Sequence, residues 1–93
     1  MEAKIMRVVQ QGEAFAVQSQ KSETGQVKKC SILLQELGGK YADQYACTML
    51  SNAATCRFSR DKLVAVSLRF KVNEYEDRCY QDIFVADIHR LNR

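Results

Sequence analysis

The stretch from Leu63 to Leu91 constrains this chain most. In Leu63-Val64-Ala65-Val66-Ser67-Leu68-Arg69-Phe70-Lys71-Val72 the apolar residues Val64, Val66, Leu68, Phe70 and Val72 fall on alternate positions. Ala65, Ser67, Arg69 and Lys71 lie between them. A period of two is the signature of a β-strand with one buried and one wet face. A second run, Cys79 to Leu91, is rich in β-branched and aromatic residues, which suits a strand. Its alternation is broken. Ile83 and Val85 share one parity, and Phe84, Ala86 and Ile88 share the other. The break predicts burial on both faces or a β-bulge. The polar link Asn73 to Arg78 reads as a hairpin loop. Two such strands need further strands to cover their apolar face.

The rest of the chain supplies them. Residues 3–11 read as a first strand that Gly12 kinks or ends, with Phe15 to Gln20 continuing it beyond the bend. Residues 21–26 form a turn in which Gly25 can take a positive φ. Val27 to Glu36 is the second strand, with Cys30, Ile32 and Leu34 inward and Lys29, Ser31 and Leu33 outward. The Gly38-Gly39 turn leads to a third strand ending at Leu50. Ser51-Asn52 can cap a two-turn helix over Ala53 to Ser59, with Ala54 and Phe58 stacked and Arg57 and Arg60 near its end. The order is strand, strand, strand, helix, strand, strand. It predicts an all-β, single-domain chain over residues 1–93, arranged as a five-stranded Greek-key barrel of the OB-fold type with one short helix between strands 3 and 4.

Composition narrows the class. The 93 residues are 46% hydrophobic and 27% charged, with a net charge of +3, which permits a polyanionic partner without demanding one. There is no apolar run of membrane-spanning length and no signal-peptide pattern at the N-terminus, so the expected location is the cytoplasm with no membrane partner. Cys30, Cys47, Cys56 and Cys79 are irregularly spaced and form no C-x-x-C pair. They read as small buried hydrophobes in a reducing compartment, with no metal site and no cofactor. Nothing resembles a phosphate loop, a Ser-His-Asp order or a ligand cluster, and no enzyme is expected.

Several stretches carry a resemblance. Glu76-Asp77-Arg78-Cys79-Tyr80-Gln81-Asp82-Ile83-Phe84-Val85 resembles the final strand of bacterial single-stranded DNA-binding proteins. Gly25-Gln26-Val27 into Cys30-Ser31-Ile32 resembles their second strand, and Tyr45 to Phe58 their third strand and helix. The chain is similar, more closely, to a small bacterial family of uncharacterised OB-type domains. It shares their Gly25-Gln26-Val27-Lys28-Lys29 entry to strand two, and their hairpin of Glu74-Tyr75, Arg78, Tyr80 and Asp82. It departs from them at Val27 and Leu50, where aromatic residues are usual, and it has no tryptophan.

The resemblance implies binding of single-stranded DNA, with RNA as a second candidate. Such binding needs cations for the phosphates and aromatic faces for the bases. Lys28, Lys29, Arg69 and Lys71 are the candidate phosphate contacts, and Tyr45 and Tyr75 the candidate stacking residues. Outward lysines and arginines also form ordinary solvated faces that guard strand edges. Phe58 and Phe70 fall at core positions, while Tyr80 fits either a core place with a wet hydroxyl or a surface one. Glu74, Glu76 and Asp77 place negative charge beside Tyr75. The competing expectation is therefore a protein-interaction or assembly module without nucleic-acid binding; on either reading the chain is expected to form a homodimer or homotetramer, with Ile5, Val9 or Leu33 available for a subunit interface.

Overall fold

The computed structural model describes residues 3–18 and 25–91. The alternating stretches become six strands: β1 Lys4–Gln11, β2 Phe15–Gln18, β3 Gln26–Glu36, β4 Gln44–Leu50, β5 Leu63–Tyr75 and β6 Arg78–Arg90. One helical turn, α1 Asn52–Thr55, lies between β4 and β5. β1 pairs antiparallel with both β3 and β5, β3 with β4, and β5 with β6, and a parallel bridge from Thr48 to Phe84 joins β4 to β6. These pairings close a ring of hydrogen-bonded strands, and β2 adds to β3 alone.

The alternation expected of β3 holds: Cys30, Ile32 and Leu34 are buried in a core shared with Met6, Val8, Cys47, Met49, Ala54, Val64, Val66, Leu68 and Val85. The broken alternation of β6 is a bulge. Ser67 pairs with Asp87 and Leu68 with Val85, so Ala86 is the extra residue. One inserted residue switches parity, and Val85 and Ile88 both turn to the core side. β1 carries a second bulge at Val9, between the pairs Val8–Leu34 and Gln10–Leu33.

The first strand is two strands, which makes six rather than five. Gly12 brings its backbone against β3, with its N–H donating to the Ser31 carbonyl at 2.8 Å. A Cβ at this position would lie 2.8 Å from Ser31 Oγ, so any side chain here would have to displace that hydroxyl. The expected continuation through Ser19 and Gln20, and most of the 21–26 turn, lie outside the described residues; Gly25 has the positive φ expected, 76°.

The helix is shorter than its pattern predicts. Ser51 sits at φ 59° without a side-chain cap, and Cys56 is already extended. The Gln11 side chain explains the early end. Its amide donates to the Cys56 carbonyl at 2.7 Å and accepts from the Phe58 N–H at 2.8 Å, taking backbone groups that a second turn would use. Arg57 and Arg60 are not helix-end cations. They donate to the carbonyls of Gly12 at 2.7 Å and Val9 at 3.1 Å, and so tie down the kink and the bulge of β1. Phe58 packs against the core as expected.

The β5–β6 hairpin differs most. No loop spans Asn73 to Arg78. The strands stay paired up to Tyr75 and Arg78, and a two-residue turn joins them. Glu76 and Asp77 both take positive φ, 50° and 65°, as a tight hairpin turn of the primed type requires. β1 pairs with β5 only as far as Val66, and β4 meets β6 at Phe84. Beyond these points the hairpin is a two-stranded ribbon outside the ring. Phe70 and Val72, core residues by alternation, are therefore 45% and 62% exposed.

This arrangement predicts unequal costs for two truncations of similar chemistry. Ile32→Ala should lose about 2–5 kcal/mol of stability in urea unfolding, whereas Phe70→Ala should change it by about 0.5 kcal/mol or less. A loss at Phe70 as large as at Ile32 would return it to the core.

Candidate nucleic-acid interface

Residues directly opposite in a ladder share a face of the sheet. In the ribbon the pairs Arg69–Phe84, Lys71–Asp82, Asn73–Tyr80 and Tyr75–Arg78 alternate with Phe70–Ile83, Val72–Gln81 and Glu74–Cys79. The second set continues the core-facing side of the ring. The first set therefore forms the outward face, with three cations, three aromatic rings and one carboxylate. Tyr75 is 67% exposed and Tyr80 47%, and Phe84 is half-buried where the ribbon joins the ring.

The outward face runs on across the sheet. Phe84 bridges to Thr48, Thr48 pairs with Ser31, and in the neighbouring row Lys29 pairs with Leu50 on one side and Phe15 on the other. Leu50 and Phe15 are exposed. A cleft of about 720 Å³ opens where the ribbon leaves the ring, bounded by Leu50, Arg69, Phe70, Lys71, Phe84, Val85 and Ala86.

Four of the six residues singled out from sequence thus come together on one face: Lys29, Arg69, Lys71 and Tyr75. Two do not. Lys28 pairs with Ala16 and has the opposite parity to Lys29. Tyr45 has core-side parity and packs against the core, and its hydroxyl donates to Glu36 Oε1 at 3.0 Å. Lys4 donates to the same oxygen at 3.0 Å. The hydrogen bond from Lys4, then that from Tyr45, holds the Glu36 carboxyl below its ordinary value; bonding to Glu36 raises Lys4, and with burial it raises the Tyr45 hydroxyl. Arg78, Tyr80, Phe84, Leu50 and Phe15 complete the face; the sequence leaves Tyr80 open between core and surface and assigns none of the five to binding. The available signal was the spacing of Arg78, Tyr80, Asp82 and Phe84 by two, which a two-residue turn places opposite the odd residues of β5.

The turn also relocates the acidic groups. Glu74 lies on the side of the ribbon away from Arg69 and Lys71, and Glu76 and Asp77 sit at the tip. The ion pairs between carboxylates and Lys or Arg among the described residues are Lys4–Glu36 and Arg7–Asp61, Asp87 is in hydrogen-bond contact with His89, and none of these uses a cation of the outward face.

The cysteines divide. Cys30 and Cys47 are buried as expected, and burial pushes the Cys47 thiol up to about 11. Cys56 and Cys79 are exposed, contrary to the buried reading, because α1 ends before Cys56 and the ribbon lifts Cys79 off the ring. Among the described residues no cluster of three or more metal-binding side chains occurs, and no helix is long and apolar enough to cross a membrane. Comparison with known protein families, curated proteins and solved structures gave no match.

Two measurements follow from these environments. In native protein an aromatic disulfide reagent should titrate Cys56 and Cys79 rapidly and Cys30 and Cys47 only on unfolding, because the thiolate is the reactive form and must be reached. Four fast thiols would contradict the burial. Because the Glu36 pKa is depressed in the folded state, its contribution to stability is present above the ordinary carboxylate range and lost as pH falls through the lowered value. Glu36→Gln should therefore flatten the acid side of the melting-temperature profile and, because bonding to Glu36 raises Lys4 and Tyr45, flatten its alkaline side as well.

Proposed function

We propose that this chain is an OB-type domain that binds single-stranded nucleic acid, DNA in preference to RNA, without catalysing a reaction. The OB-type assignment draws on connectivity. With β1 and β2 counted as one interrupted strand, the first strand lies between the second and fourth, and the third runs parallel to the fifth. OB domains bind oligonucleotides over strands two and three and the loop between four and five, which correspond here to β3, β4 and the ribbon.

One observation carries the reading. Arg69, Lys71, Arg78, Tyr75, Tyr80 and Phe84 share the outward face of the ribbon, which continues to Lys29. Cations interleaved with aromatic rings are what a flexible polyanion with unpaired bases requires. The cations collect phosphates and release counterions, and each stacked base contributes roughly 1–3 kcal/mol. Any base offers a π face, so such a surface binds many sequences.

A second reading has its own support. The inner side of the ribbon exposes Phe70 and Val72, and such a stripe suits a protein partner. An assembly module, a homodimer or homotetramer, would use this side and would not need nucleic acid.

Fluorescence anisotropy of a labelled oligothymidylate, titrated at several salt concentrations, separates the two. Binding should weaken with salt. Lys29→Ala, Arg69→Ala and Lys71→Ala should each lower the log–log slope by about 0.7, while Lys28→Ala leaves it unchanged. Tyr75→Ala and Tyr80→Ala should weaken binding by roughly 1–3 kcal/mol with the slope preserved. Folded protein that ignores the strand at low salt would sink the nucleic-acid reading and leave the assembly module.

A further inference from the structure

Asp82 stands out on a face otherwise built for a polyanion. A carboxylate there repels phosphate, and its directly opposed neighbour is Lys71. Yet the ion pairs among the described residues do not join the two. Asn73 instead donates from Nδ2 to Asp82 Oδ2 at 2.6 Å. That bond fixes the carboxylate and leaves Oδ1, and a lone pair on Oδ2, able to accept. On its own strand Asp82 is flanked at two-residue spacing by Tyr80 and Phe84, on the same face.

We infer that Asp82 and Lys71 read the edge of an unpaired base, and that the base they fit is guanine. The inference rests on the nucleic-acid reading above. The Watson–Crick edge of guanine presents two adjacent donors, N1–H and the N2 amine, beside one acceptor, O6. A carboxylate takes both donors and the ammonium of Lys71 gives to O6, so all three groups are satisfied. Directly opposed residues have Cβ atoms ~5 Å apart, a span suited to one base edge. Tyr80 or Phe84 supplies the stacking face. The other bases fit less well. Thymine and uracil place a carbonyl on each side of their one N–H, and both carbonyls repel a carboxylate. Adenine and cytosine offer one amine beside ring acceptors, which leaves half of the carboxylate without a donor. A site that hydrogen-bonds one edge discriminates because its polar groups are left unpaired by the wrong one.

The test compares labelled strands of about 15 nucleotides, within the span of a single OB domain. One is all thymine. In the others every third base is guanine, hypoxanthine, cytosine or adenine. The guanine strand should bind about tenfold more tightly than all-thymine, as a good two-bond base contact provides. Hypoxanthine lacks the 2-amino group and should lose most of that advantage. Asp82→Asn, nearly isosteric and exposed, should erase the guanine advantage while binding all-thymine as well as wild type or better. Equal affinities for all strands, a cytosine advantage equal to that of guanine, or a guanine advantage that survives Asp82→Asn would each overturn the inference and leave strand binding intact. Failure of every strand to bind at low salt would overturn both.

Discussion

The contact of Thr48 with Phe84, a single parallel bridge, decides what the longest strands of this molecule face. On one side of it β5 and β6 are staves of the ring, and Val64, Val66 and Leu68 are buried. On the other side the same two strands have no neighbours, and the same parity leaves Phe70 and Val72 in solvent. The ladder between β5 and β6 continues through both regions, so backbone pairing does not mark the change. What changes is whether a third strand stands opposite. A two-stranded ribbon is marginal alone. This one persists because its base is anchored in a closed sheet and its tip is a tight turn.

Closure places a matching demand on β1, which must pair along both edges. It meets the demand with a bulge at Val9 and a break at Gly12, and both leave backbone groups without ladder partners. Polar side chains from the segment after α1 satisfy them. Arg60 takes the Val9 carbonyl, Arg57 the Gly12 carbonyl, and Gln11 reaches back to Cys56 and Phe58. Buried or crowded backbone groups that lack a partner are costly, so these arginines are structural groups first. A count of positive charge over residues 57–71 therefore overstates what a phosphate could meet. Arg69 and Lys71 remain on the outward face, while Arg57 and Arg60 each commit a guanidinium N–H to a β1 carbonyl or the Gly12 carbonyl just beyond it.

Alternation was a reliable guide wherever a strand has two faces and one core. It placed Cys30, Ile32 and Leu34 inward and Arg69 and Lys71 outward, and it marked β6 as irregular, with a bulge as one of two readings. It failed where the outcome depends on which strands are neighbours. Nothing local distinguishes Leu68 from Phe70, because the difference is made by β1 and β4 ending. Turn length failed for a different reason. Asn73 to Arg78 is polar throughout, and the left-handed backbone falls on Glu76 and Asp77 rather than on glycine. A six-residue loop and a two-residue turn then have the same composition. The candidate site inherited that error. With a long loop Tyr75 lies at a flexible tip and Arg78 and Tyr80 have no defined partners, whereas with a tight turn all three share a face with Arg69 and Lys71.

The tight turn also bears on the conflict between the acidic hairpin and a polyanionic ligand. The charges along the ribbon are sorted in two directions. Across it, Glu74 lies opposite in face to Arg69 and Lys71; along it, Glu76 and Asp77 are gathered at the tip. Fields of exposed groups fade over roughly one Debye length, about 8 Å at physiological salt. Each residue of a strand advances about 3.3 Å, so the tip is about three such lengths from Arg69, about two from Lys71 and much closer to Tyr75. On the nucleic-acid reading a strand is therefore attracted at the base of the ribbon and repelled at its end. It would lie over Phe84, Tyr80 and Tyr75, on the face away from Glu74, and continue towards Lys29, rather than run on past the turn at Glu76 and Asp77. On that reading the acidic tip acts as a boundary of the site, and Asp82, held by Asn73 inside that boundary, is the one carboxylate on the outward face of the ribbon.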